Sequence, residues 1–128
     1  LCSQKNIELI CSVHGELLQF MKPHHIASIF SNALTNAENY LDTVPEKEKK
    51  IIRVSLNKAN GNIILVFQNY LKDQVRFSKG LPITTNNNKA LHGYGMKSIQ
   101  NIVEHYNGIL TISQKNNLFT LSIIFFEE

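Results

Sequence analysis

The sequence predicts an α+β fold in which helices lie on one face of a largely antiparallel sheet. Three observations predict it: two segments with helical periodicity, two pairs of β-rich segments joined by short polar turns, and one short strand before them. The chain has 128 residues, the length of one domain with a core of ordinary size. We therefore expect a single domain over residues 1–128, built as a two-layer sandwich with a mixed sheet.

The N-terminal third contains one predicted strand and one predicted helix. Residues 7–13 alternate loosely between apolar and polar side chains, which is typical of a strand. From His24 onward, apolar side chains recur at intervals of three and four residues, and the pattern ends before Pro45. This spacing predicts an amphipathic helix over residues 24–41.

The β-rich segments form two predicted hairpins. Asn60-Gly61 separates the first pair, and this dipeptide is a strong signal for a tight hairpin turn. Lys115-Asn116-Asn117 separates the second pair. The four segments are 51–56, 63–67, 109–113 and 118–126.

Between the hairpins lie a predicted lid and a second predicted helix. Residues 70–92 lose all periodicity, and a structureless segment of this length inside a domain is usually functional or mobile. We expect this segment to be a mobile lid. Apolar side chains then recur at helical spacing from Gly95 to Tyr106, and Asn107-Gly108 ends the pattern.

Composition excludes several classes of protein. The net charge is only +3 and the basic residues are dispersed, so no nucleic-acid partner is expected. No apolar stretch approaches the roughly 20 residues that span a bilayer, so we expect no membrane insertion of this segment. Cys2 and Cys11 lack metal-ligand spacing, which favours a reduced intracellular protein. The chain starts at Leu1 without Met, which fits either a fragment of a longer protein or a start residue lost in cloning.

Three asparagines share one flank of the first predicted helix. Asn32, Asn36 and Asn39 are separated by four and three residues, which places them side by side. One interpretation is a solvated face. The other is a set of neutral ligands for phosphates and a hydrated Mg²⁺, which needs only one or two protein oxygens.

A glycine-rich segment precedes the second predicted helix. In His92-Gly93-Tyr94-Gly95-Met96, the glycines would let backbone N–H groups approach an anion at the helix N-terminus. Lys97 in the first turn would oppose the helix dipole, which mildly favours a bound anion nearby. The alternative is a flexible hinge. The sequence lacks the glycine-lysine pattern of a P-loop.

These features, in this order over about residues 5–126, resemble the GHKL ATPase superfamily, which has the Bergerat fold. Within it, the chain is most similar to the catalytic ATP-binding domain of sensor histidine kinases of the peptide-pheromone, accessory-gene-regulator type. Residues 31–37 resemble the N-box, and residues 92–99 resemble the second glycine box. Residues 81–85 resemble the lid segment before it, and residues 117–120 resemble part of the final strand pair.

The resemblance implies a site for ATP and Mg²⁺. Asn36 would be the Mg²⁺ ligand and the residue essential to catalysis, with Asn32 and Asn39 near the phosphates and Tyr40 against the adenine ring. The lid would contribute Thr84 and Thr85, with Lys89 in place of a lysine that relatives carry directly after them. The glycine box would fold over the phosphates through His92, Gly93, Tyr94, Gly95, Met96 and Lys97.

The adenine end departs from the family pattern. Most histidine kinases place an Asp-Gly motif at the end of the second hairpin strand, whereas residues 66–71 contain neither Asp nor Gly. Asn69 is the expected surrogate and Gln68 the alternative, because an amide can both accept and donate a hydrogen bond. Losing the carboxylate removes a charge-assisted bond, so we expect weak nucleotide affinity.

The function implied by the resemblance is transfer of the γ-phosphoryl of ATP to a histidine on a separate helical dimerisation domain. A response regulator would act indirectly in this quorum-sensing type of two-component signalling, and the domain would be the cytoplasmic part of a bacterial membrane sensor. None of the five histidines has the acidic neighbour together with the helical context of the family's acceptor motif, so we expect the acceptor outside this chain.

Three alternatives remain. ATP hydrolysis is disfavoured because relatives that hydrolyse ATP carry a Glu general base at the position of Asn32, and Asn cannot take a proton. A degenerate interaction module without catalysis would explain the missing Asp-Gly motif. A purely structural protein would explain neither the glycine segment nor the lid.

Overall fold

Two long helices, a five-stranded sheet and a separate two-stranded hairpin make up the described part of the computed structural model, which covers residues 7–42, 50–71, 76–78, 81–83 and 89–126. A short 3-10 helix, Gly15–Leu18, precedes the first long helix. The helices are α1 (Pro23–Leu41) and α2 (Lys89–His105). The strands are β1 (Glu8–Val13), β2 (Ile51–Ala59), β3 (Asn62–Tyr70), β4 (Arg76–Ser78), β5 (Leu81–Ile83), β6 (Ile109–Lys115) and β7 (Leu118–Phe125).

The main sheet is mixed and largely antiparallel, as the sequence predicted. Its strands lie in the order β1-β2-β3-β7-β6. Only β1 and β2 are parallel, and α1 lies between them in the chain, as a parallel pair requires a long crossover connection. All the other pairs in this sheet are antiparallel.

One face of the sheet carries the core. Val54, Phe67, Leu121 and Ile112 stand opposite one another across β2, β3, β7 and β6, and all four are buried. The helices contribute their predicted apolar stripes to the same core, through Ile29, Ala33, Ala37 and Leu41 of α1 and Met96, Ile99 and Val103 of α2. The predicted α+β fold is therefore confirmed.

Both predicted hairpins form with two-residue turns. Asn60 and Gly61 have φ values of 53° and 83°, and Asn116 and Asn117 have values of 54° and 63°. Two successive positive φ angles match the twist of antiparallel strands, which is why Asn and Gly occupy these positions. Near the turn, β2 extends three residues further than predicted and β3 begins one residue earlier, because cross-strand pairing continues to Ala59 and Asn62.

Helix α2 begins earlier than predicted. The expected start was Gly95, but the helix begins at Lys89, so the glycine segment lies inside it. Glycine costs a helix only about 1 kcal/mol relative to Ala, and packing of α2 on α1 outweighs that cost. The predicted end is confirmed: Asn107 takes a left-handed φ of 59°, and Gly108 N–H donates to Val103 O at 2.9 Å.

The segment predicted to be structureless contains a small hairpin. Among the described strands, β4 and β5 pair only with each other, in a register that sets Phe77 opposite Pro82. Pro82 and the nearby Gly80 suggested a loop, but a strand with a free edge tolerates the missing N–H of proline. Residues 72–75, 79–80 and 84–88 lie outside the described residues, so the mobility of the lid stays a prediction.

The remaining expectations concern membranes and cysteines. Among the described residues, no helix is both long enough and apolar enough to cross a bilayer. Cys11 is free and exposed, whereas Cys2 lies outside the described ranges.

Candidate functional site

One line of side chains along α1 contains the predicted site residues of that helix. Asn32, Asn36 and Tyr40 follow one another at intervals of four residues, so they lie on the same side of the helix. At 1.5 Å of rise per residue, the line is about 12 Å long. Asn39 stands beside it and is half-buried.

Asn36 is buried without a side-chain partner among the described residues. Only 6% of its surface is exposed, and no described donor or acceptor reaches its amide. A buried amide without a partner costs about 1–3 kcal/mol, so a ligand that bonded to the Asn36 amide would offset that cost. The interpretation of the asparagine flank as a solvated face is therefore wrong for Asn36. Asn32 is half-buried and donates to Ser28 Oγ at 3.2 Å.

Asn32 of α1 also lies next to Gly95 of α2. A Cβ added to Gly95 would lie 3.4 Å from Asn32 Oδ1, which is its nearest neighbour. A glycine at this position keeps the space beside the Asn32 amide open. The fold therefore brings together one residue from the asparagine flank and one from the glycine segment.

The glycine segment itself does not form the predicted turn. His92, Gly93, Tyr94, Gly95 and Met96 all lie within α2. The N–H groups of the helix interior bond to carbonyls one turn earlier, so only those of the first four residues, 89–92, lack partners within the helix.

Two further residues of this segment also differ from expectation. Met96 is 3% exposed and belongs to the core instead of an anion site. Lys97 is exposed, but it stands eight residues after the helix start, too far from the N-terminus to oppose the dipole there.

The predicted adenine residues lie at the end of β3 nearest to Tyr40. Asn69 is 3% exposed on the helix-covered face, where it stands opposite Phe119 of β7. The Tyr40 ring packs against the Phe119 ring with centroids 4.7 Å apart. Burial raises the pKa of Tyr40 to about 12. Asn69 Nδ2 donates to Tyr70 O at 3.1 Å, and among the described residues no donor reaches Asn69 Oδ1.

Gln68 lies on the opposite face of the sheet. Its Nε2 donates to Thr120 Oγ1 at 3.0 Å, and Arg53 stands opposite it on β2. Successive side chains of a strand point to opposite faces, so the side chains of Asn69 and Gln68 lie on opposite faces of the sheet. Only Asn69 shares a face with Tyr40.

The other predicted residues are placed less completely. Thr84 and Thr85 lie outside the described residues, and Lys89 begins α2. Two neighbours of the site were missed in the sequence. Phe119 is recognisable only once β3 and β7 are paired, and Glu38, 4% exposed, follows Ala37 with no sequence signal for its burial.

The site suits a metal ion that prefers oxygen ligands and takes most of them from water and phosphate. Among the described residues, no group of three His, Cys, Asp or Glu side chains could hold a metal. Mg²⁺ coordinated mainly by water and phosphate needs only one or two protein oxygens. The buried amide of Asn36, which has no partner in the part of the chain that the structure describes, fits that requirement.

The chain is similar to known proteins in sequence pattern and in fold. The sequence pattern of the GHKL domain family matches residues 21–126, which is most of the chain. No curated protein sequence matches significantly.

Solved histidine kinases have a similar fold. The nucleotide-free catalytic domain of histidine kinase ThkA superposes with a TM-score of 0.68 at 12% identity, over 98% of this chain and 83% of that one. Histidine kinase AdeS of Acinetobacter baumannii superposes with a TM-score of 0.66 at 13% identity, over 99% of this chain and 57% of that one. The blue-light activated histidine kinase EL346 of Erythrobacter litoralis superposes with a TM-score of 0.66 at 10% identity, over 94% of this chain and 35% of that one. The chain thus spans little more than half of AdeS, and identities this low show the fold alone.

Proposed function

Because the chain belongs to the GHKL domain family, we propose that it is the catalytic ATP-binding domain of a sensor histidine kinase. The observation that carries this proposal is the line from Asn32 through Asn36 to Tyr40, with a buried amide at its centre and no described partner for it. Similarity of the fold to solved histidine kinase domains supports it.

The residues of the line have distinct tasks in this proposal. Asn36 Oδ1 holds Mg²⁺, while the Asn32 and Asn39 amides hold phosphate oxygens. Tyr40 and Asn69 hold the adenine ring, since both lie next to Phe119. Bound Mg²⁺ and ATP supply the transferable phosphoryl group and neutralise its charge, so the protein contributes mainly positioning.

The rest of the phosphate contact belongs to the lid and to the first turns of α2. Thr84, Thr85 and Lys89 would contact the phosphates from the lid side, and residues 92–97 would fold over them. Since residues 92–97 are helical in this structure, that contact requires the first turns of α2 to unwind. The rearrangement costs hydrogen bonds, which adds to the weak affinity expected from the missing Asp-Gly motif.

The phosphoryl acceptor lies outside this chain in our proposal. It is a histidine on the helical dimerisation domain of the same kinase, and a response regulator receives the phosphoryl group afterwards. We place the domain in the cytoplasm, as one part of a longer membrane sensor of the peptide-pheromone type used in quorum sensing. The proposed domain spans residues 1–128.

Calorimetric titration of the chain with ATP, with and without Mg²⁺, tests the binding site. We expect ATP binding that depends on Mg²⁺ and has a Kd above the micromolar range. Asn36→Ala should weaken it at least about tenfold, equivalent to about 1.4 kcal/mol. Asn101→Ala is the matched control, because Asn101 is exposed on α2 outside the line. Equal binding by the Asn36 variant and the parent would contradict the assignment of Asn36, and sub-micromolar binding would contradict the expected weakness.

Phosphoryl transfer is tested by mixing the chain with its dimerisation domain and γ-labelled ATP. The proposal expects Mg²⁺-dependent label on a histidine of that domain, and loss of label with Asn36→Ala. Fold and docking without any label would instead favour a non-catalytic interaction module, the alternative that the missing Asp-Gly motif suggests.

A further inference from the structure

A cavity lies at the end of the sheet opposite to Asn69. It has a volume of about 480 Å³ and is lined by Phe20, Ile63, His105, Tyr106, Asn107, Phe125 and Phe126. Six residues of β3 separate Ile63 from Asn69, which is about 20 Å of extended strand. The cavity is therefore separate from the proposed nucleotide site, and it falls within the size range of small-molecule sites, about 300–1,000 Å³.

Aromatic rings form most of the apolar part of this cavity. The Phe20 ring meets Phe125 edge-on at 5.3 Å and Tyr106 at 5.7 Å between centroids. Phe20 and Phe126 are nonetheless 47% and 51% exposed. Two half-exposed phenylalanines beside a cavity offer ring faces and edges to a flat apolar molecule, and edge-on and offset aromatic contacts are favourable.

The polar side of the cavity is rich in potential positive charge. His105 lines it, and the His25 ring lies 5.4 Å from the His105 ring and the His24 ring 4.2 Å from that of His25. Tyr106 OH bonds to His25 Nδ1 at 2.6 Å and accepts from Lys22 N–H at 3.0 Å. The lining contains no carboxylate among the described residues.

The charged groups around this cluster come from two helices. The N-terminal end of α1 contributes Lys22, His24 and His25, and the C-terminal end of α2 contributes His105 and the exposed Glu104. The pKa of His25 is lowered by burial and then by the charges of His24, His105 and Lys22. An anion placed beside these groups would offset their mutual repulsion.

We propose that this cavity binds a planar aromatic molecule that carries a carboxylate. The ring lies among Phe20, Phe125 and Phe126, and the carboxylate lies beside His105 and Asn107. Lys22, His24 and His25 add longer-range attraction. Lys22 repels a cation and attracts a carboxylate, and His105 and Asn107 can each donate a hydrogen bond to a carboxylate oxygen.

Indole-3-acetate is a suitable probe, because the chain contains no Trp and the indole emission has no protein background. We expect saturable binding of indole-3-acetate to the parent chain. Indole-3-acetamide, which has the same ring but no charge, should bind at least about fivefold more weakly, equivalent to about 1 kcal/mol.

Three variants separate the ring contact from the charge contact. Phe20→Ala should abolish the saturable binding of indole-3-acetate. Phe77→Ala removes another exposed phenylalanine, on β4, and should leave this binding unchanged. His105→Gln should erase the difference between acetate and acetamide. All three positions are exposed, so circular dichroism should show the parental fold.

Several outcomes would overturn the proposal: no saturable binding, equal affinity for acetate and acetamide in the parent, or equal loss in the Phe20 and Phe77 variants. Because none of these measurements involves ATP, they are independent of the proposed kinase function.

Discussion

Gly95 of α2 lies directly against Asn32 of α1, so that a Cβ on the glycine would meet Asn32 Oδ1 at 3.4 Å. This contact links the two sequence features that suggested a phosphate site. We expect a side chain at position 95 to change the stability of the fold and the affinity for ATP in opposite directions.

We expect Gly95→Ala to stabilise the fold and weaken ATP binding. Alanine favours a helix interior by up to about 1 kcal/mol over glycine, and a Cβ at 3.4 Å is an ordinary contact. The same methyl group fills the space beside Asn32, so we expect about tenfold weaker ATP binding. Thermal unfolding and calorimetry measure the two effects. Gly15→Ala, with no atom within 4 Å of the new Cβ, is the control; unchanged binding in Gly95→Ala would contradict the phosphate role.

Asn69 and Gln68 should differ in their effect on nucleotide binding. Asn69→Ala removes a buried amide on the helix-covered face and its bond to Tyr70 O, so we expect weaker ATP binding and about 1–2 kcal/mol lower stability. Gln68→Ala removes a bond to Thr120 on the other face and should leave ATP affinity unchanged. Urea unfolding and ATP titration of both variants provide the comparison, and the reverse order of affinities would reassign the adenine contact to Gln68.

Tyr40 should ionise only at strongly alkaline pH. Burial raises its pKa from 10.0 to about 12, so the folded state keeps the proton that the unfolded chain releases first. The free energy of unfolding should therefore fall as the pH rises through the window from 10.0 to about 12. Absorbance titration of the phenolate measures the ionisation, and Tyr40→Phe should remove the step near the upper limit. Persistence of that step in the variant would show that another tyrosine is responsible.

Acid should destabilise the fold through His25. The folded pKa of His25 is lowered from 6.5, first by burial and then by its cationic neighbours. As the pH falls below 6.5, the unfolded chain binds the proton before the folded one does, so the free energy of unfolding decreases. Urea unfolding at several pH values measures the slope. His25→Gln should make the fall of the unfolding free energy with decreasing pH shallower, whereas His14→Gln, at an exposed position, should leave it unchanged. An equal pH dependence in the parent and His25→Gln would contradict the role of His25.

Local sequence signals predicted the helices and hairpins well where the chemistry is local. The intervals in residues 24–41 gave α1 to within one residue of its start at Pro23. Asn60-Gly61 and Asn116-Asn117 form turns because their side chains tolerate the positive φ angles that tight hairpins need. These features depend on residues close in sequence, so no tertiary information was required.

The features that were missed depend on contacts between distant segments. Glycines suggested a turn at 92–96, but packing of α2 on α1 keeps this segment helical. Alternation places Asn69 and Gln68 on opposite faces, yet the covered face is known only after β3 pairs with β7. The bond between His25 and Tyr106 joins residues 81 positions apart, and neither residue signals it alone.

The strand order has a consequence for how the protein is made. β7 is the last strand in the chain, yet it lies inside the sheet between β3 and β6. During synthesis on the ribosome, Leu65 and Phe67 of β3 lack their neighbours until residues 118–125 have emerged from the exit tunnel. The five-stranded sheet therefore cannot be completed before β7 has emerged, and a nascent chain arrested before Leu118 would expose the unpaired edge of β3 to chaperones.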